Sequence, residues 1–267
     1  MNKGSRLQEA YLSRLEKQRR KIMAARILLA LAFFLLWETA ADRGWIDSFF
    51  FSSPSRLGRL FLSMWRDGSL FLHVGITLTE TLVSFALVVV IGLAVSLLLW
   101  LSDSVFQVLE PYLVILNSLP KSALAPLLIV WLGANSRTII VAGMSVAIFG
   151  TILNLYTGFT ETSREKIRLI YTLHGTKKDA LTKVVLPSTV PMIISIMKVN
   201  IGLCLVGVVI GEFIGARNGL GYLIIYGSQV FQLDLVILSI LILCLMAMLL
   251  YGGVTAAEKL YHRRQHA

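Results

Sequence analysis

The residues with reactive or titratable side chains in telling places are few: His73, His174, His262 and His266, the serine Ser145 within an apolar run, and three charges in apolar surroundings, Lys121, Lys198 and Glu212. A hydrolase needs a nucleophile with a base beside it. No histidine is expected within an apolar span, which leaves Ser145 without a base and argues against an intramembrane serine protease. There is no HExxH, no CxxC and no pair of Asp-rich motifs to hold a metal, and no GxxxxGK[ST] to cradle a nucleotide phosphate. Cys204 and Cys244 lie in apolar runs, where a thiol behaves as a small hydrophobe, so neither a disulfide nor a metal site is expected. The expectation is a chain that is not an enzyme and binds no cofactor of its own; if ATP drives it, a partner supplies the ATPase.

The elements that must position these residues are apolar. Of the 267 residues 56% are hydrophobic and 15% charged, where a soluble domain carries nearer a quarter charged residues. The mean hydropathy is +0.76. Apolar runs long enough to cross about 30 Å of hydrocarbon lie near 22–41, 79–101, 107–133, 136–158, 189–211 and 231–254, and predict an all-α membrane protein with six transmembrane helices. The net charge of +10 reports topology before it reports any nucleic-acid partner: 17 of the 25 Lys and Arg fall in 1–26, 164–183 and 255–267. With 1–21, 102–106, 159–188 and 255–267 inside, the positive-inside bias predicts both termini in the cytoplasm. A cleaved signal peptide at "RILLALAFFLLWETAAD" is disfavoured, because more than 20 residues precede its apolar core.

The predicted organisation is a cytoplasmic segment at 1–21, a first transmembrane helix with an outer helix at 22–69, a transmembrane domain at 70–255, and a basic tail at 256–267. Leu7, Tyr11 and Leu15 recur at helical spacing among basic residues and predict a helix lying on the anionic lipid surface. In "SSPSRLGRLFLSMWRDG", Ser53 is set to cap a helix with Pro54 at its first position and Leu57, Leu60, Phe61 and Met64 on one face. The third span, "LNSLPKSALAPLLIVWLG", is interrupted by Pro120 and Pro126, each of which removes a helical hydrogen bond. Broken helices at membrane depth are found where protein or a water-filled cavity receives the freed backbone groups, so this segment is either a pathway lining or a proline kink. Lys198, seven residues after Pro191, either snorkels to the interface or attracts an anion. Glu212 precedes Gly215, Gly219 and Gly221, which permit a tight re-entrant turn near the outer face. Asn117, Pro120, Lys121, Lys198, Asn200, Glu212, Gly219 and Gly221 are accordingly the candidate pathway residues.

Between spans four and five, "ETSREKIRLIYTLHGTKKDALTKVVLP" is too polar to cross and too patterned for a linker. Ile167, Ile170, Tyr171 and His174 recur at helical spacing before Gly175; after it, Thr176 is an N-cap for a second short helix carrying Ala180, Leu181, Val184 and Val185 and stopping at Pro187. Two helices joined at Gly175 predict an exposed cytoplasmic knob fit for a groove on a soluble partner.

This knob resembles the EAA loop of ABC-importer permeases, whose pattern is Glu-Ala-Ala, three residues, Gly, nine residues, then I-x-L-P. Gly175 and the "VVLP" ending at Leu186 and Pro187 fit; Leu169, Ile170 and Tyr171 stand where Glu-Ala-Ala is expected, and the Gly-to-Pro spacing is one residue short. "LNSLPKSALAPLLIVWLG" is similar to the P-P-x-A-x-x-P-L-x-I-x-W-F-G stretch of the nitrate, sulfonate and taurine permease branch, and "VGVVIGEFIGARNGLGYLI" to its GVVxAEM…GLGYLI. The resemblance covers roughly 70–255. It implies a type I importer permease in a bacterial inner membrane, paired with a second permease copy, two ABC ATPase subunits that hold the ATP and magnesium, and an extracytoplasmic substrate-binding protein. The coupling residues it implies are Leu169, Tyr171, His174, Gly175, Thr176, Lys177, Lys178, Asp179, Leu186 and Pro187. The substrate it implies is a small anion such as nitrate, an alkanesulfonate or taurine, with a vitamin precursor as the alternative. An energy-coupling-factor transmembrane component is disfavoured, since the Ala-Arg dipeptides at 25–26 and 216–217 lie outside the loop.

Overall fold

The computed structural model describes the backbone of residues 3–265 and the side chains of residue 12 and residues 17–260, and within it every regular element is a helix. The chain divides into two compact units, Met1–Ser63 and Met64–Ala267.

The first unit is dominated by α1 (Lys3–Asp42), a single helix of 40 residues and about 60 Å. The expected surface helix is therefore not separate from the first span. No Gly or Pro falls between Ser5 and Asp42, and the junction is rich in Arg, Lys, Ala and Leu, so nothing ends the helix there. The Leu7, Tyr11 and Leu15 stripe lies outside the described side chains. After α2 (Ser48–Phe51), α3 (Pro54–Arg66) opens as the sequence predicts, with Ser53 Oγ accepting from Arg56 N at 3.4 Å. Trp37 Nε1 donates to Phe51 O at 3.2 Å and Ser55 N to Glu38 Oε2 at 3.0 Å, which fasten the end of α1 to this turn.

The second unit contains α4 (Ser69–Leu101), α5 (Asp103–Ser118), α6 (Lys121–Leu132), α7 (Ser136–Thr160), α8 (Arg164–Thr172), α9 (Lys177–Ala180), α10 (Leu186–Gly215), α11 (Leu220–Gln229) and α12 (Leu233–Gln265). Among the described residues five helices are long and apolar enough to cross a membrane; the pair α5 and α6, bent by 96°, makes a sixth. The six apolar runs are thus all helical, with two changes of boundary. α4 begins at Ser69, ten residues before the run at 79, and so takes His73 into a spanning helix where none was expected. The third span breaks at Leu119 and Pro120 only: Pro120 holds Leu119 in an extended conformation, whereas Pro126, midway along α6, removes one hydrogen bond and the helix runs on through it.

At the core α7 packs against both α4 and α10. Small residues let the backbones approach, as expected where helices associate without a hydrophobic drive. A Cβ on Gly207 of α10 would lie 2.8 Å from Gly143 Cα on α7. Asn200 is 3% exposed and donates from Nδ2 to Thr151 Oγ1 at 2.8 Å, a second tie between these helices.

Candidate functional site

The segment singled out between spans four and five folds into a helical hairpin. α8 ends in a Schellman turn: Gly175 N donates to Ile170 O at 2.9 Å and His174 N to Tyr171 O at 3.0 Å. The left-handed residue of that turn is His174, φ 60°, and not Gly175. Gly175 is needed for a different reason, since a Cβ there would fall 2.5 Å from Ile170 Cγ2 and 2.9 Å from Ile170 O. Thr176 caps α9 as expected and closes a capping box: Asp179 N donates to Thr176 Oγ1 at 3.3 Å, and Thr176 N to Asp179 Oδ2 at 2.9 Å.

The second helix does not stop at Pro187. It passes from α9 through a widened π-helical turn, Leu181–Val185, into α10, so Lys177–Gly215 is continuous. Proline cannot donate, and its ring crowds the carbonyl four residues back. Immediately before it, Leu186 N reaches to Leu181 O in the wider turn, and Pro187 sits in the first turn of α10, where a missing donor is tolerated.

One face of the hairpin is buried. Ala180, Leu181 and Val185 join Trp100 of α4 and Leu155 and Phe159 of α7 in one apolar cluster, with Ile167 and Ile170 packed against it. The other face is open: Leu169 is 59% and Leu173 70% exposed, and Tyr171, His174, Thr176 and Lys178 are exposed beside them. Leu186 is half-buried and Pro187 exposed.

About 36 Å away along α4, a polar knot closes the other end of the bundle. Glu212, 1% exposed, accepts from Thr77 Oγ1 at 2.6 Å and from Gly221 N at 2.6 Å. Leu220 N donates to the Thr77 hydroxyl at 2.8 Å, and Gly219 N to His73 Nδ1 at 3.0 Å. The three amides that open α11 are thus all received by side chains of α4 and α10. Gly219 has φ 113°, and a Cβ there would collide with the Glu212 carboxyl. Glu80, a second acid in α4 and 3% exposed, faces Glu212 and Ser136 and lines a cavity of about 430 Å³. Glu212, Gly219 and Gly221 are candidates on the sequence alone; His73, Thr77 and Glu80 join them only in the structure. Their signal is the stripe His73, Thr77, Glu80 and Ser84 at three- and four-residue steps, with Thr81 beside it, which marks a polar edge facing protein.

The remaining candidates lie elsewhere. At the break, Lys121 Nζ donates to Leu116 O and sits 5.2 Å from the Phe149 ring, while Asn117 is exposed beside Gly150. Lys198 bonds Glu258 Oε2 of α12 at 2.5 Å, with both side chains about a fifth exposed. Its charge is paired inside the bundle, and Glu258, 60 residues further on, was not foreseen as its partner. Ser145 donates to Ala142 O of its own helix, 2.8 Å away.

Comparison with known proteins adds a family. Residues 85–265 match the family described as binding-protein-dependent transport system inner membrane component. The chain is 30% identical over 237 residues to a probable ABC transporter permease protein of Haemophilus influenzae, covering 89% of this chain and 95% of that one. It is 27% identical to the formylaminopyrimidine transport permease protein ThiX of Halalkalibacterium halodurans, covering 87% and 92%, and 24% identical to a putative aliphatic sulfonates transport permease protein SsuC of Bacillus subtilis, covering 87% and 84%. Among solved structures, an inward-facing form of the MetNI methionine ABC transporter shares the fold, with a TM-score of 0.60 at 20% identity over 69% of this chain and 92% of that one.

Proposed function

The chain belongs to the binding-protein-dependent transport system inner membrane component family and is a multi-pass inner-membrane permease of the ABC importer class, and from that premise we propose that its α8–α9 hairpin is the surface a separate ATPase grips. The observation that carries this reading is the hairpin's two-sidedness: Ala180, Leu181 and Val185 bind it to the bundle, while Leu169, Tyr171 and Leu173 remain uncovered. Large apolar side chains standing free beside charged ones suit insertion into a groove on a soluble partner. In this reading the hairpin and both termini are cytoplasmic, in keeping with the basic residues of 164–183, and the α11 end is outward. Residues 1–21 and 256–267 are cytoplasmic extensions, 22–69 is a first span with an outer helix, and 70–255 is the transporting domain.

Two permease copies and two ATPases form the working unit, and an external binding protein delivers the solute. Closure of the ATPases moves each hairpin as a rigid body, and the bundle switches between inward- and outward-open forms. The bent pair α5 and α6, with Asn117, Pro120 and Lys121 at the break, lines the route. Glu212, Gly219 and Gly221 shape its outer mouth. Lys198, paired with Glu258, and Asn200, bonded to Thr151, hold helices together beside it. The cargo is a small polar solute, an anion such as nitrate, an alkanesulfonate or taurine, or a vitamin precursor. The relatives that carry sulfonates and a formylaminopyrimidine support both classes. The pairing of Lys198 leaves Lys121 to favour the anion.

Deletion of residues 174–180 should leave membrane insertion intact and abolish substrate-stimulated ATP hydrolysis by the assembled complex. Unchanged stimulation would sink the assignment.

A further inference from the structure

Three lysines lie on the second arm of the hairpin, and only one reaches another span. Lys183 pairs within its own helix, 2.8 Å from Asp179 Oδ1. Lys178 is exposed. Lys177, the first residue of α9, extends to the joint at which α4 stops and α5 starts: its Nζ donates to Leu101 O at 3.1 Å, lies 4.0 Å from Asp103 Oδ1, and stands 5.3 Å from the centre of the Trp100 ring.

Each of these contacts has a physical reason. Leu101 carries one of the last carbonyls of α4, which have no partner further along the helix and sit at its negative end. Asp103 is the only acid in the first turn of α5. Trp100 presents a ring that attracts a cation, and the same side chain belongs to the apolar cluster that holds Ala180, Leu181 and Val185. A single residue, Ser102, separates the two helices, so the joint has little slack. From it α5 runs 16 residues to the 96° break at Leu119 and Pro120.

Building on the proposed docking role of the hairpin, we infer that Lys177 is a positioning residue that ties the hairpin to the α4–α5 joint and so carries its displacement into the bent pair α5 and α6. Lys177 therefore works on the bundle side of the hairpin, not as a contact to the ATPase. The Lys177 and Asp103 side chains are 41% and 74% exposed, so the pair adds little to stability. What it supplies is a fixed geometry between two elements that must move together.

The test uses the full permease–ATPase complex in lipid nanodiscs. Asn117→Cys, next to the break, is placed in a Cys244→Ser background and labelled with a membrane-impermeant maleimide, at rest and after trapping with ATP and vanadate. In the parent, trapping should change the labelling rate by about tenfold, within the usual range of coupling between sites. Lys177→Met keeps the aliphatic stem over Trp100 but removes the charge and the donor. It should co-purify with the ATPase and trap vanadate as the parent does, while the change in labelling falls below about twofold. Lys177→Arg, which keeps a donor and a positive charge, should restore most of it.

A full nucleotide-dependent change in Lys177→Met overturns the inference, and so does loss of the ATPase from that variant, which would make Lys177 a docking residue. Absence of any change in the parent counts instead against the proposed pathway.

Discussion

The two ends of the bundle solve opposite problems with similar residues. The knot around Glu212 is inward-looking: a carboxylate, a hydroxyl and an imidazole receive the three amides that open α11, and the acid at its centre is 1% exposed. The hairpin also holds a carboxylate bonded to a hydroxyl and a backbone amide, Asp179 with Thr176, but at the surface. Buried polar groups are costly to leave unpaired, whereas water replaces a lost partner at the surface. The knot therefore fixes a shape, and the hairpin keeps a shape that a second protein can press on. Disturbing the first should register in stability, and disturbing the second in coupling.

The largest effect is expected at Glu212. Glu212→Ala strands the Gly221 amide in a dry site and leaves the Thr77 hydroxyl only the carbonyl of His73, 3.2 Å away on its own helix, as acceptor. The unsatisfied amide costs about 1–3 kcal/mol and the cavity left by the truncated side chain adds to it, so the variant should lose about 3 kcal/mol or more. Thermal unfolding of the purified permease would show it as a lower midpoint. Glu212→Gln keeps one acceptor oxygen and should recover part of the loss. A Glu212→Ala protein as stable as the parent, yet defective in transport, would mean that Glu212 acts on the outer mouth directly and not by holding the fold.

Gly175→Ala comes next and tests the other half of the contrast. The added methyl must displace the Ile170 side chain and also meets the Ile170 carbonyl, which is backbone and cannot turn aside. Forced overpacking of this kind costs about 1–3 kcal/mol, and here it is relieved by opening the hairpin toward solvent. The expected outcome is a small shift in the unfolding midpoint with a large drop in coupled ATP hydrolysis. A large midpoint shift with coupling intact would reverse the roles assigned to the two ends.

Much of this was legible in the sequence where the cause is local. Apolar runs fix where the spans are, Pro120 breaks the third because proline acts on its own neighbours, and Thr176 caps α9 because the capping box is closed within four residues. Contacts distant in sequence were not legible. Glu212 was noticed as a charge, but its partners Thr77 and Gly221 come from other elements, and Lys198 meets Glu258 across 60 residues. Two local readings also gave way to tertiary packing. Pro187 was expected to end a helix, yet the widened turn at Leu181–Val185 accommodates it and keeps Ala180, Leu181 and Val185 in the core. Gly175 was expected to be the joint itself, yet the unusual backbone falls on His174, because the space beside Ile170 is what only glycine fits.

The smallest expected effect, and the finest discrimination between the two ends, is at Thr176. Thr176→Ala removes the Oγ1 that receives Asp179 N, while Asp179 keeps its bonds from Thr176 N and Lys183, so the box is halved and not lost. Removing a cap costs about 1 kcal/mol, and at an exposed site this falls on the first turn of α9 without reaching the buried cluster. The global unfolding midpoint should hardly move. If the partner requires an ordered α9, fraying of that turn should lower coupled ATP hydrolysis by about fivefold, the factor that corresponds to 1 kcal/mol. Thr176→Ser, which keeps the hydroxyl, should restore it. A Thr176→Ala protein with full coupling would mean that the partner grips α8 through Leu169, Tyr171 and Leu173 and leaves α9 to the bundle, and the two-sidedness of the hairpin would then divide between its two helices.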